Sequence, residues 1–141
     1  MSGNRQFVDT NILVYAHDLT AGEKHSRARA LVEELWDTRE GCLSVQVLQE
    51  FFVTTTRKIP EPLDAPAAAR IIDDLAHWHV HAPVVSDVLA AIDIHQRTGA
   101  SFWDAMILRS AKDLSCGTLY SEDLNPGQVY EGVRVRNPFL A

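Results

Sequence analysis

The chain has 141 residues, 46% of them hydrophobic and 23% charged, and a formal net charge of −6. That length supports one domain with its own core, read over residues 1–141, of ordinary soluble globular composition. The charge argues against a protein that grips nucleic acid by bulk electrostatics, though not against an enzyme that meets a polyanion through bound metal, and it favours a basic protein partner.

Apolar runs of strand length alternate with helical patterns along the chain. "QFVDT" reads as a first strand, and Asp9-Thr10-Asn11 forms a polar knot inside the apolar run "RQFVDTNILVY". In "SRARALVEELWDT", Ala28, Leu31, Val32, Leu35 and Trp36 share one helical face. Gly41 breaks that pattern, and "CLSV" reads as a short second strand. "VQVLQEFFVTTTRK" follows as a helix with an apolar stripe of Val47, Leu48, Phe51, Phe52 and Thr55. Three prolines make "IPEPLDAP" a loop, and helix resumes through Ala68, Ile71, Ile72 and Leu75. "VHAPVV" reads as a third strand, with Pro83 marking an edge or an end. "SDVLAAIDIHQRTG" is a helix from Ser86 to Gly99. "SFWDAMILRSAKDL" is another, with Trp103, Met106, Ile107, Ala111 and Leu114 at helical spacing. "GTLYS" reads as a fourth strand and "GVRVRNPF" as a last one.

This alternation implies an α/β fold with a mostly parallel sheet covered on both faces. In such sheets sites form at the carboxyl ends of strands. Asp9 ends the first strand, and Asp123 follows the "TLY" strand. No apolar run has the length of a membrane span. "MSGNRQ" places no apolar stretch behind a basic one, as a secretory leader would, so the expected location is the cytoplasm. There, Cys42 and Cys116 are expected to be two buried thiols rather than a disulfide.

Four acids lie in apolar company: Asp9, Glu50 in "VLQEFF", Asp104 in "SFWDAMIL" and Asp123 in "LYSEDL". Glu33-Glu34 and Asp73-Asp74 lie in polar company and read as solvated helix faces. Each of the four has a local explanation. Asp9 suits a helix-capping turn, Ser101 and Asp104 fit a capping box, Glu50 has Arg57 nearby, and Ser121-Glu122-Asp123 suits a turn. Their joint placement points further. Clustered carboxylates raise one another's pKa, and a hard divalent cation relieves the repulsion. Mg²⁺ prefers oxygen ligands at roughly 2.0–2.1 Å. A few carboxylates with waters is the ligand set of a Mg²⁺- or Mn²⁺-dependent phosphodiesterase.

At these residues the sequence resembles the PIN-domain ribonucleases, in particular the VapC toxins of bacterial VapBC toxin–antitoxin pairs. The resemblance is carried by "FVDTNILVY", "VLQEF", "SFWDAMIL" and "LYSEDLNPGQVYEGVRVRNPF", in order over nearly the whole chain. It implies a three-layer α/β/α domain and metal-dependent endonucleolytic cleavage of RNA. Carried over, Asp9, Glu50, Asp104 and Asp123 form the acidic quartet, with Asp9 and Asp104 as primary ligands of Mg²⁺ or Mn²⁺. Asp123 helps through water or a second ion, with Glu122 beside it as an alternative. Glu50 holds or activates a metal-bound water, and Thr10, Asn11 and Ser121 give polar support. The resemblance further implies a homodimer and a cognate antitoxin that fills the active-site groove, often with a basic side chain. "FFVTTTRKI" and the helix at 66–78 are candidate dimer surfaces, with core packing the plainer reading of both.

Two other functions compete. One is a catalytically silent RNA- or protein-binding domain, against which the intact quartet speaks. The other is an aspartyl-phosphate domain, but Asp9-Thr10-Asn11 is not Asp-x-Asp, and "GTLYSED" lacks the receiver lysine. There is no Gly-x-Ser-x-Gly elbow and no phosphate-binding Gly-rich loop. His77, His79 and His81 alternate in "HWHVH"; surface histidines are the plainer reading, a transition-metal site the sharper one. Arg57, Lys58, Arg109 and Lys112 are candidate RNA contacts or solvated helix charges.

Overall fold

A computed structural model describes residues 4–140. In chain order the elements are β1 (Gln6–Val8), α1 (Thr10–Tyr15), α2 (Glu23–Thr38), β2 (Gly41–Ser44), α3 (Val45–Arg57) and α4 (Ala65–Leu75). There follow β3 (His79–His81), α5 (Val85–Thr98), α6 (Phe102–Asp113), β4 (Thr118–Tyr120), β5 (Val129–Tyr130) and β6 (Val133–Arg136).

The strands form one sheet in the order β3-β2-β1-β4-β6-β5. All neighbours are parallel except β5, which runs antiparallel to β6. The chain moves outward from β1 to β2 to β3 and then returns past β1 to β4. Because parallel crossovers are right-handed, that reversal places the helices of the outward run and of the return on opposite faces. The packing agrees: α1 lies between α2 and α3, α3 also contacts α4, and α5 packs on α6. The result is three layers, α/β/α. The reversal also opens a crevice between the carboxyl ends of β1 and β4, where ligands bind in sheets of this kind.

The sheet's central residues, Phe7, Leu43 and Leu119, are fully buried, as are Phe51 of α3 and Leu108 of α6. Each such side chain contributes roughly 1.5–3 kcal/mol by leaving water. Gly41 opens β2 under the Trp78 indole; a Cβ there would lie 2.5 Å from its Cε3. Trp78 in turn packs edge-on against Trp36, with ring centres 5.6 Å apart. Cys42 and Cys116 are free thiols, both buried, as expected.

Several expectations are corrected. Asp9 caps a helix, as its capping reading expected, but that six-residue helix, α1, was not among the elements read along the chain. The third strand covers only His79–His81; Pro83 ends it, and Val84 already caps α5. β5 was not foreseen, because two residues carry no period to read. Trp36 is 41% exposed rather than a core residue, because its ring rides on Trp78 at the rim. Phe52 likewise emerges at the edge of the α3 stripe.

Candidate active-site cleft

The cleft is built where strands hand over to helices. β1 and β4 run in register to their ends, Val8 beside Tyr120. The Asp9 amide then donates to the Tyr120 carbonyl at 3.0 Å. Asp9 and Ser121, the next residue in each segment, are thereby held side by side, and both are buried. One Asp9 oxygen accepts from the Thr10 amide at 2.7 Å, the other from the Ser121 hydroxyl at 2.9 Å. Ser121 Oγ also accepts from the Asp123 amide at 3.1 Å, which folds the β4 exit back toward Asp9. The Asn11 amide donates to Asp123 Oδ2 at 3.1 Å.

Asp104 arrives from the opposite layer. Ser101 caps α6 by accepting from the Asp104 amide at 3.1 Å, which places the carboxylate in the first turn. Glu50 enters along α3, which Ser44 caps. Its Oε1 accepts from the Thr10 hydroxyl at 2.6 Å, and its Oε2 lies 3.5 Å from Gln46 Nε2.

Asp9, Asp104 and Asp123 each offer a carboxylate oxygen, and these atoms lie within 4.8 Å of one another. Glu50 lines the same cleft, of about 410 Å³, but stands outside that group, tied to it through Thr10. Burial, reinforced by the charges of Asp123 and Asp104, raises the Asp9 carboxyl to about 7, against the opposing Thr10 and Ser121 hydrogen bonds. Burial also raises Asp123, with Asp104 and Glu122 adding and Asn11 opposing. The donors are all hard oxygens, and one of them belongs to a buried carboxyl. That set fits Mg²⁺ or Mn²⁺ and not a soft-ligand metal.

Each residue expected at the site can now be placed. Asp9, Asp104 and Asp123 converge; Glu50, Thr10 and Asn11 line the same cleft, and Ser121 braces it from beneath. Glu122 faces away, held by the Tyr15 hydroxyl at 2.6 Å and by Lys24 at 2.8 Å. The cleft therefore takes Asp123 and not its neighbour. Glu50 does not pair with Arg57.

Among the candidate basic residues, Lys58 lines the cleft, whereas Arg109 bonds Asp87 and Lys112 bonds Glu131. The three histidines do not share a strand face. His77 precedes β3 and contacts the Asp74 carbonyl, and His79 contacts the Arg39 carbonyl. His81 is buried, with Nδ1 on Ser110 and Nε2 near Asp87 and Asp113. Asp87 is held below the usual carboxylate range, first by the Val84 amide and then by Arg109. This group knits β3, α5 and α6 together on the far side of the sheet's edge. Its acids were invisible in "HWHVH" because they come from the two following helices.

The sequence reading did not single out Gln46, Gln49, Val53, Thr54 or Ile107 as lining residues, and it placed Trp103 in a core stripe. Instead Trp103 is 61% exposed at the cleft. The signal was present in the α3 spacing: Gln46, Glu50 and Val53 recur on the face of Glu50.

Fold and cleft together define a three-layer α/β domain with a carboxylate cluster at the carboxyl edge of its sheet. The profile of the PIN domain family matches residues 7–131, and the chain belongs to that family. Among solved structures, a chain of a toxin–antitoxin complex from Klebsiella pneumoniae is similar, with a TM-score of 0.69 and 19% identity over 95% of this chain and 98% of that one. Mycobacterium tuberculosis VapC20, described as a Sarcin-Ricin loop cleaving toxin, gives a TM-score of 0.63 and 21% identity over 82% of this chain and 88% of its own. DNA-bound VapBC from Salmonella typhimurium gives 0.64 and 16% over 95% and 98%. At these identities the likeness is one of fold. No curated protein sequence matches the chain significantly. Among the described residues no helix is long and apolar enough to cross a membrane.

Proposed function

We propose that the chain is a divalent-metal-dependent endoribonuclease and the toxin of a toxin–antitoxin pair. The observation that carries the reading is the convergence of Asp9, Asp104 and Asp123 within 4.8 Å, with Asp9 raised to about 7. Three carboxylates are held where at least one of them resists ionising without a cation. Membership of the PIN domain family supports nuclease chemistry, and the toxins and toxin–antitoxin complexes among its structural likenesses support the biological role.

In this reading Asp9, Asp104 and Asp123 hold Mg²⁺ or Mn²⁺. Such an ion supplies Lewis-acid polarisation of the phosphodiester and a lowered pKa for water. The chain's own residues orient the rest. Ser121 and the Thr10 amide fix both oxygens of Asp9, and Asn11 fixes Asp123. Thr10 holds Glu50 by Oε1, so Oε2, with only the long 3.5 Å contact to Gln46, is the oxygen that would take a proton from the attacking water.

An antitoxin would bring a basic side chain into this acidic cleft, where a guanidinium pairs with carboxylates in bidentate fashion. A homodimer is part of the same proposal. The exposed stripe Val85, Val88, Leu89 and Ile92 on α5 offers it a more open apolar face than the stretches singled out in the sequence.

The test is cleavage of bacterial total RNA by the purified protein, with Mg²⁺ or Mn²⁺ against EDTA, for wild type and Asp104→Asn. Metal-dependent cutting absent from the variant is expected. Equal cutting by the folded variant, or none by the wild type in any metal, contradicts the assignment.

A further inference from the structure

Besides its acids, the cleft is lined by an exposed tryptophan and a lysine. One wall is α3, along which Gln46, Glu50 and Val53 follow one another, with Lys58 as its C-cap. Twelve residues separate Gln46 from Lys58, or about 18 Å of helix at 1.5 Å per residue. Trp103 stands at the Gln46 end, because Gln46 Nε2 lies 3.3 Å from its carbonyl oxygen. Lys58 stands at the other end, as the cation among the lining residues. Glu50, tied through Thr10 to the Asp9 group, lies between them.

Single exposed aromatics are common on protein surfaces. Trp103 differs in three respects. It adjoins Asp104, its backbone is tied across the cleft to α3, and its ring is braced edge-on by Phe102 at 5.0 Å. The indole is thus held in place yet 61% exposed. A flat aromatic fixed beside a phosphodiester site stacks a base, provided that base is free of its own neighbours. Lys58 makes no ion pair among the described residues. In a cleft lined by carboxylates it suits a phosphate.

Resting on the ribonuclease reading above, we propose that Trp103 stacks an unpaired base on one side of the cut bond while Lys58 holds a backbone phosphate on the other. Trp103 thereby reads unstacked RNA, and both residues position substrate rather than take part in the chemistry.

The experiment maps a cut site in bacterial RNA. It then uses a synthetic oligoribonucleotide spanning that site, intact or abasic at each position around it. Trp103→Ala is expected to lower cleavage roughly 5- to 150-fold, chiefly through KM, with Trp103→Phe retaining part of the activity. At one flanking position an abasic sugar should slow the wild type by a similar factor yet leave Trp103→Ala unchanged. A merely structural tryptophan would not produce that pairing. Lys58→Ala should flatten the salt dependence of binding by about 0.7 in log–log slope, and Lys58→Arg should restore it. Unaltered cleavage by Trp103→Ala, or losses additive with every abasic position, overturns the stacking role. An unchanged salt slope overturns the Lys58 contact. Failure of the wild type to cut would count against the ribonuclease reading first, and the inference would fall with it.

Discussion

Replacing Asp9 by Asn should stabilise the metal-free protein at alkaline pH and not at acid pH. The folded carboxyl titrates at about 7 against an ordinary value of 3.8, a difference of about 3 units. At about 1.4 kcal/mol per unit this is about 4 kcal/mol. The sign follows from proton counting. Between these values the folded state holds a proton that the unfolded chain releases, so stability is full below pH 4 and falls as pH rises through 7. An Asn removes that titration. Its oxygen keeps the Thr10 amide bond and its nitrogen can donate to Ser121 Oγ, while the Ser121 hydroxyl proton loses its acceptor, at a cost of about 1 kcal/mol. Above pH 8 the variant should then be about 3 kcal/mol more stable in EDTA, on the order of 10 °C in Tm. Below pH 4 it should be about 1 kcal/mol less stable, so the two curves cross. Depressed carboxyls such as Asp87 and Glu131 act oppositely, losing their contribution as pH falls, but they cancel in the difference between the two proteins. The assay is urea unfolding of both in EDTA from pH 4 to 8.5. A constant difference across that range, or a variant weaker throughout, would refute the reasoning. Saturating Mg²⁺ should reverse the order at pH 8, because only the wild type gains a ligand for its buried anion.

Asp104→Asn should abolish cleavage while leaving metal-free stability equal or higher, since the α6 cap uses the residue's amide and not its carboxylate; thermal unfolding in EDTA checks this, and an unfolded variant would return Asp104 to a capping role. Ser121→Ala leaves one oxygen of a buried carboxylate without its donor and should cost about 1–3 kcal/mol at pH 8, less at pH 4 where Asp9 is protonated; paired urea titrations read the difference. Gly41→Ala drives a methyl into the Trp78 ring and should cost about 1–3 kcal/mol. Its cleavage rate below the transition should match the wild type, because the change lies at the amino end of β2, away from the cleft.

The site was legible because its acids occur among apolar neighbours. A carboxylate in "FVDTN" or "FWDAM" has no local reason to be there beyond a cap, and four in a parallel α/β pattern share one edge. Asp9 turned out to be both a cap and a member of the cluster, so the bland reading and the sharp one were not exclusive. Glu122 and Asp123 were indistinguishable in sequence. The Tyr15 and Lys24 contacts that turn Glu122 away come from 107 and 98 residues upstream. Helical spacing placed Trp103 with Met106 and Ile107, but periodicity reports a face and not what covers it, and here the first turn of α6 overhangs the cleft. The same limit hid the α5 stripe, whose apolar spacing is that of a core helix although Val85 and Leu89 are exposed.

The most direct measurement is RNA cleavage in ¹⁸O-labelled water with Mn²⁺, followed by mass spectrometry of the product ends, using Asp104→Asn to exclude a contaminant. Hydrolysis at the carboxylate cleft predicts one labelled oxygen in each new terminal phosphate and no 2′,3′-cyclic phosphate. Unlabelled cyclic-phosphate ends made by the wild type would show that the ribose hydroxyl is the attacking group, and would contradict metal-dependent hydrolysis at Asp9, Asp104 and Asp123.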